Sequence, residues 1–424
     1  MQTSLWQRFG VQPDLVALAD KIETEILPIR QEIEAIVAHN QMRVVAALQN
    51  QHLSDWHLNG STGYGYGDMG REALDAAYAE LMQTEAALVR PHFVSGTHAI
   101  ACAMMGNLQA GQEVLLASGR PYDTLEGVIG LRPAPLGNSL LDLGVNHRVI
   151  PLTDEGQIDL EAVAAAITPQ TAMIHLQRSR GYSTRPPLTL EQIGQVVELA
   201  HNASPNIIVF IDNCYGEFVE REEPGAVGVD LMAGSLIKNP GGGLAISGGY
   251  IAGRELYVAR AAERLTAPGL SNEMGATFGH LRPMLQGLFL APDAVGAALQ
   301  GAVFAAALFQ ELGFPVSPLP NELRHDIIQS IQFANAEQVI AFCQGIQAAA
   351  PVDAHVRPEP GDLPGYSDPV IMAAGTFVLG GSLELSADAP LRPPYNAYYQ
   401  GGLTYAHARL GILMAASRVL NQQE

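Results

Sequence analysis

Residues 206–243 read NIIVFIDNCYGEFVEREEPGAVGVDLMAGSLIKNPGGG, and the order of residue types in them decides the fold. NIIVFIDN is apolar enough to be a central strand buried on both faces, and it ends on a carboxylate, Asp212. A second short run, DLMAGSL, ends just before Lys238, in a chain with few lysines. Strands that apolar belong to parallel sheets covered by helices, where ligands sit at the carboxyl ends. Asp212 and Lys238 would both stand at that edge.

Outward from this stretch the same grammar repeats. The apolar runs EVLLAS, HRVIPL, TAMIHLQ and SGGYIAG alternate with the helical stretches REALDAAYAELMQTEAAL, THAIACAMMGNLQ, LEQIGQVVELAHN and ELYVARAAERL. Such alternation predicts a large α/β domain, residues 61–290, with a mostly parallel sheet covered by helices on both faces. Residues 14–50 carry helical patterning interrupted at Pro28, and residues 1–60 read as an N-terminal helical arm. After residue 290 the order changes to a long helix, HDIIQSIQF, a helix near 336–349, the Pro-rich RPEPGDLPGYSDP, the strand-like VIMAAGTFVL and SLELSA, and a last helix from about 401. This is the pattern of a smaller α+β domain, residues 291–424.

Composition limits what such a chain does. Of its 424 residues 48% are hydrophobic and 16% charged, enough apolar matter for a large core. Lys and Arg total 23 against 43 Asp and Glu, a formal net charge of -20, which argues against nucleic acid or an anionic membrane as a partner. The stretch GAALQGAVFAAALFQELG is broken by Gln300 and stops at Gln310 and Glu311, so it reads as a buried helix. The start MQTSLWQRFGVQPDL lacks a basic segment followed by an apolar one, and Cys102, Cys214 and Cys343 are widely spaced with no CxxC. A cytoplasmic chain without a disulfide framework or a zinc site is expected.

Lys238 among glycines suggests a phosphate loop, but such a loop needs glycines before the lysine and Ser or Thr directly after it. Asn239 and Pro240 follow instead. The other reading is a lysine that forms a Schiff base with a carbonyl, which requires a confined site. Asp212 is expensive to bury without a partner, and either a structural arginine or a cationic ring nitrogen would serve. In PHFVSGTHAIACAMMGNL, Ser95, Gly96 and Thr97 open a helix whose first N–H groups suit an anion, although, taken alone, Ser95 or Thr97 as a simple cap is the better explanation. Tyr122 follows EVLLAS, where an aromatic ring can stack on a flat cofactor or pack in the core. Taken together, a phosphate cradle, a ring platform, a buried carboxylate and a strand-end lysine match the phosphate, ring face, pyridinium nitrogen and aldehyde of pyridoxal 5'-phosphate (PLP). His98 reads as a capping residue and Cys214 as a small packed one.

QRSRGYSTRPPLTLEQI, the stretch from VFIDN to YIAGR and RLTAPGLSNEMG resemble a bacterial family variously labelled aluminium resistance protein or methionine gamma-lyase family protein. That family is similar to the Cys/Met-metabolism PLP enzymes of fold type I, and the resemblance extends from about Tyr64 to the C-terminal helix. It implies a phosphate-binding role for Ser235. It also implies that GYGYGDMGREALDAAYAELM supplies a tyrosine and an arginine to the phosphate across a subunit interface, Tyr66 and Arg71 being nearest, with a spacing that departs from the superfamily's tyrosine-x-arginine. Arg178, Arg180 and Arg185 gather after TAMIHLQ and suit a substrate carboxylate, with a solvated basic loop or interface pairing with the acidic surface an equal reading for any one of them. Arg392 is the alternative, because fold type I enzymes commonly bind that carboxylate with an arginine of the C-terminal domain.

The expected function is a PLP-dependent carbon–sulfur lyase, performing β- or γ-elimination on a sulfur-containing amino acid, with Lys238, Asp212 and Tyr122 as its catalytic groups. The reaction class follows from the resemblance; the cofactor chemistry alone equally permits an aminotransferase, racemase or aldolase. A PLP-binding protein without turnover, linked to metal tolerance, is the reading outside enzymology. A homodimer, or a tetramer built from dimers, is implied by the fold.

Overall fold

The computed structural model describes residues 5–132, 136–363, 366 and 368–422. In chain order the elements begin with α1 (Leu5–Arg8), α2 (Pro13–Glu25), α3 (Leu27–Asn50), α4 (Met69–Leu81), β1 (Ala86–Arg90), α5 (Gly96–Asn107), β2 (Glu113–Leu116), α6 (Asp123–Ile129) and β3 (Asn146–Val149). They continue with α7 (Leu160–Ala166), β4 (Thr171–Gln177), α8 (Leu190–Ala203), β5 (Ile208–Asp212), β6 (Leu231–Ser235), β7 (Gly249–Gly253), α9 (Glu255–Leu265) and α10 (Leu281–Glu311). The last are β8 (Val316–Ser317), β9 (Gln329–Gln332), α11 (Ala336–Ala349), β10 (Val370–Ala373), β11 (Ser386–Pro390), β12 (Asn396–Gln400) and α12 (Tyr405–Leu420). They form two compact units, Asn40–Phe289 and Met1–His39 with Leu290–Glu424.

The first unit holds a seven-stranded sheet of order β1-β7-β6-β5-β4-β2-β3. β3, β2, β4, β5 and β6 run parallel, whereas β7 is antiparallel to both β6 and β1. The reason is the connection: a parallel neighbour needs a crossover element, and only the short turn Asn239–Gly241 lies between β6 and β7. Every residue of β5 and β6 is buried, as their unbroken apolar runs require. On one face Phe210, Leu231, Ala233 and Ile251 pack with Ala99, Ile100, Ala103 and Met104 of α5. Small residues bring α5 close: a Cβ at Gly106 would lie 2.7 Å from Arg260 O of α9.

In the second unit a five-stranded sheet, order β10-β11-β12-β9-β8, is antiparallel throughout. α11 and α12 lie against each other where Gly345 leaves no room for a Cβ beside Ala415. Phe309, Phe314, Phe333 and Phe342 form an edge-to-face cluster with centroids 5.3 to 5.9 Å apart. The arm joins this unit: α2 buries Leu15, Ala19 and Ile22, and α12 reaches it through Arg409 to Asp20 at 2.7 Å and Tyr405 Oη to Glu23 at 2.7 Å.

Two strands depart from the sequence expectation. The helix read through EAAL stops at Leu81, and Ala86–Arg90 form β1, because five residues of β7 offer this alanine-rich segment a full ladder. β12 (Asn396–Gln400) is not among the strand-like runs of the sequence; Pro393 and Pro394 precede its paired residues rather than interrupting them. α10 is long and apolar enough to span a membrane, and 78% of its most apolar window is buried.

Candidate active site

The sheet's carboxyl edge gathers the chemistry of the first unit. β5 delivers Asp212 and β6 delivers Ser235, both buried, and Lys238 follows three residues later. The turn after Lys238 can be made only by glycine: a Cβ at Gly241 would overlap Leu236 O, and Gly242 and Gly243 have φ of +54° and +75°. The run of glycines in NPGGG therefore folds the chain back at once and leaves Lys238 at the strand's mouth.

Asp212 Oδ1 accepts the Cys214 N–H at 3.1 Å. Burial raises this carboxyl above its usual range, and the charge of Lys238 pulls against that rise. Burial alone would lower the amine of Lys238, yet Cys214, Tyr215, Asp212 and Tyr122 outweigh it, and Lys238 is held well above its ordinary value. Its Nζ lies 3.9 Å from the centroid of the Tyr215 ring. Tyr122 Oη shares a hydrogen bond with Thr97 Oγ1 at 2.9 Å, and Tyr122 N donates to Gln177 Oε1 at 2.9 Å. Burial and then the Asp212 charge raise the Tyr122 phenol, so it stays protonated.

The start of α5 lies at the same edge. Ser95 caps the helix by accepting from His98 N at 3.1 Å, and Ala99 N makes the first bond back to Ser95 O. The N–H groups of Gly96 and Thr97 precede that bond and face outward along the helix axis. Gly96 is required by its neighbours: a Cβ there would lie 3.1 Å from Ser235 Cβ and 3.4 Å from Cys214 Sγ. Gly96, Ser235 and Cys214 thus come together from three elements, beside the elements that carry Asp212, Tyr122 and Lys238. His98 Nδ1 accepts from Val94 N at 3.2 Å, which makes it part of the turn.

Two of the candidate arginines are engaged within the chain. Arg178 is fully buried, and its guanidinium donates to Glu220 at 2.8 Å, Asn213 Oδ1 at 2.8 Å and Glu223 at 3.5 Å. Those contacts make it the cation that pins the loop after Asp212, not a fork held open for a substrate. Arg71 is 1% exposed and donates to the carbonyls of Gly65, Gly275 and Glu273, so within its own chain it fastens these loops. Arg185 likewise donates to Gln177 O and Pro186 O at the end of β4. Arg180 is buried, Tyr66 is exposed, and Arg392, in the second unit, pairs with Asp368 at 2.7 Å.

Sequence reasoning missed Tyr215 and Glu217. Glu217 is fully buried, and its Oε1 accepts from Tyr250 Oη at 2.8 Å. Tyr250 Oη also receives Asn213 Nδ2 at 3.2 Å, while Asn239 Nδ2 donates to Glu217 O at 2.9 Å. The cluster ties the residue after Asp212 to the residue after Lys238. Burial raises the Glu217 carboxyl to about 8. A proton that the unfolded chain releases near 4.5 is therefore kept by the folded chain up to about 8, so this group's contribution is complete below 4.5 and is lost as pH rises through 8. Glu217→Gln removes that loss. Thermal midpoints of variant and wild type should lie close at pH 5 and separate by roughly 5 °C or more at pH 8.5 in the variant's favour; a gap independent of pH would show that Glu217 is ionised throughout.

A family profile described as Methionine gamma-lyase matches residues 15–420. The YnbB protein of Bacillus subtilis is 49% identical over 405 residues, covering 96% of each chain. The crystal structure of a carbon-sulfur lyase involved in aluminum resistance from Clostridium novyi superposes with a TM-score of 0.94 at 45% identity, over 98% of each chain. The L-methionine gamma-lyase of Pseudomonas putida is 28% identical over 204 residues, 48% of this chain and 44% of its own length. With the profile running from α2 to the end of α12, this chain belongs to the methionine gamma-lyase family.

Proposed function

We propose that the protein is a PLP-dependent carbon–sulfur lyase of fold type I that acts on a sulfur-containing amino acid by β- or γ-elimination. The observation that carries this reading is the convergence, at one sheet edge, of Lys238, Asp212, Tyr122 and the α5 start, with Gly96 drawn against Ser235 so closely that a Cβ would be crowded. That cradle fits a phosphate: the N–H groups of Gly96 and Thr97 and the hydroxyl of Ser235 are donors, and the helix dipole adds to them. Asp212 would meet the ring nitrogen, the Tyr122 ring would cover the ring face, and Lys238 would hold the aldehyde covalently. When bound, PLP supplies an electron sink for the pair left at the substrate Cα.

The chain's own part is proton traffic and positioning. The Nζ of Lys238, when free, would take the Cα proton and could return it to the departing sulfur. Asp212, buried beside the Lys238 amine, would hold the proton on the ring nitrogen. Arg180 and Arg392 are the candidates for the substrate carboxylate. Across the whole reaction water is consumed, and a thiol, ammonium and a 2-oxo acid are released. Self-association also belongs to this reading: Trp56, Tyr64, Tyr66, Met69 and Phe278 expose large apolar side chains, as a surface that pairs with a second copy does.

The test supplies PLP and a panel of cystathionine, methionine and cysteine, and follows thiol, ammonia and 2-oxo acid. Equal yields of the three from one member of the panel are expected. Transfer of the amino group to an added keto acid without ammonia would replace the lyase with an aminotransferase, and tight PLP binding with no product would leave a cofactor-binding protein.

A further inference from the structure

We propose that the Tyr215 ring is a built-in resting place for the free, protonated amine of Lys238, the position the side chain takes whenever it is not joined to its cofactor. The proposal rests on the reading of Lys238 as the cofactor's anchor. It starts from the 3.9 Å between Nζ and the ring centroid, a cation held over an aromatic face.

The backbone shows that this placement is imposed. Tyr215 has φ of +70° and Phe218, three residues on, +60°, a region that bulky side chains rarely adopt. The loop is locked there from both sides. Cys214 N donates to Asp212 Oδ1 at 3.1 Å, Gly216 N to Asn213 O at 3.0 Å and Phe218 N to Glu223 Oε1 at 2.8 Å. Gly216 lies flat on Arg178, where a Cβ would collide with the guanidinium and its Cδ. Arg178, Glu220 and Glu223 thus hold a strained turn, and what the turn presents to Lys238 is an aromatic ring.

An aromatic face suits this task better than a second carboxylate. Its attraction depends on the full positive charge, so it favours the ammonium and gives little to the amine once that nitrogen is bound to the cofactor. A carboxylate in its place would hold the lysine in a hydrogen-bonded ion pair and compete with Asp212 for the cofactor's ring nitrogen. The groups that share the field at Nζ are Asp212 from β5, Cys214 from the following turn, Tyr122 from the start of α6 and Glu217 from the buried cluster. Of these, the Asp212 carboxylate favours the protonated amine, in agreement with the ring contact, and the ring fixes where that proton waits.

Lys21 and Lys238 are the two lysines of the chain, so protein labelled with 13C at lysine Cε gives two signals to titrate. The full-length chain, stripped of cofactor with hydroxylamine, is compared as wild type, Tyr215→Phe and Tyr215→Asn; asparagine tolerates positive φ, so it removes the ring and keeps the turn. The Lys238 midpoint should fall by about one unit in Tyr215→Asn and stay at the wild-type value in Tyr215→Phe, with Lys21 unchanged in all three. Superimposable wild-type and Tyr215→Asn titrations would overturn the proposal, as would a fall in Tyr215→Phe equal to that in Tyr215→Asn, which would assign the effect to the hydroxyl. Should Tyr215→Asn fail to fold, Tyr215→Gly makes the same comparison. Cofactor binding does not enter this readout, so failure of the lyase reading and failure of the ring contact are separable.

Discussion

Lys238→Ala is expected to abolish the visible absorption band of the PLP-loaded protein and to lower carbon–sulfur cleavage by at least about 10³-fold in kcat/KM. The chain offers no replacement amine: the other lysine, Lys21, is exposed and paired with Glu25 and Glu311. A small primary amine added to the variant should restore part of the proton transfer, since the deleted group is an amine and the Tyr215 ring that faces Nζ remains to receive a cation. Lys238→Arg should not be rescued, because the bulkier and permanently charged guanidinium fills the space without a nucleophile. An unchanged band in Lys238→Ala would remove Lys238 as the anchor, and the proposed function with it.

Arg178→Ala should be the most destabilising single change in the first unit, by about 3–5 kcal/mol. Breaking a buried pair costs more than the pair is worth, because it strands the remaining charge. Here Glu223 has no exposed surface and Glu220 is three-quarters buried, so both would lose their cationic partner inside the fold, with the neutral donors Phe218 N and Asn213 Nδ2 remaining on Glu223. Replacing the pair together, as Arg178→Met with Glu223→Gln, should recover much of the loss. The comparison is read from thermal midpoints beside substrate titrations. A small change in midpoint with a large rise in KM would return Arg178 to the role of a substrate arginine.

Much of the fold was legible because the central strands β4, β5 and β6 are buried on both faces, and such burial writes itself as continuous apolar runs. β1 was hidden by residues that favour a helix, and only its partner, more than 150 positions later, decides otherwise. In the site, Asp212 and Lys238 were visible because each sits where a run ends, a position that carries meaning in any parallel sheet. Arg178 misled for the opposite reason. Three arginines in one short segment suggested a carboxylate to be bound, and the carboxylates that Arg178 holds lie 42 and 45 residues away in this same chain. Tyr215 and Glu217 carry no sequence signal beyond the DNCYGE context. Their meaning comes from where Asn213, Asn239 and Tyr250 arrive in three dimensions.

The discontinuity of the second unit bears on how the molecule is made. Residues 40–289 are contiguous in sequence, and the unit they form can close while synthesis is still under way. Residues 1–39 leave the ribosome first and are completed last, since Leu15, Ala19 and Ile22 of α2 belong to a unit whose remaining residues begin at 290. At about 5–20 residues per second, the arm waits tens of seconds for α12 to emerge with Tyr405 and Arg409. Throughout that interval the apolar stripe of α2 lacks the partners that bury Leu15, Ala19 and Ile22 in the finished unit.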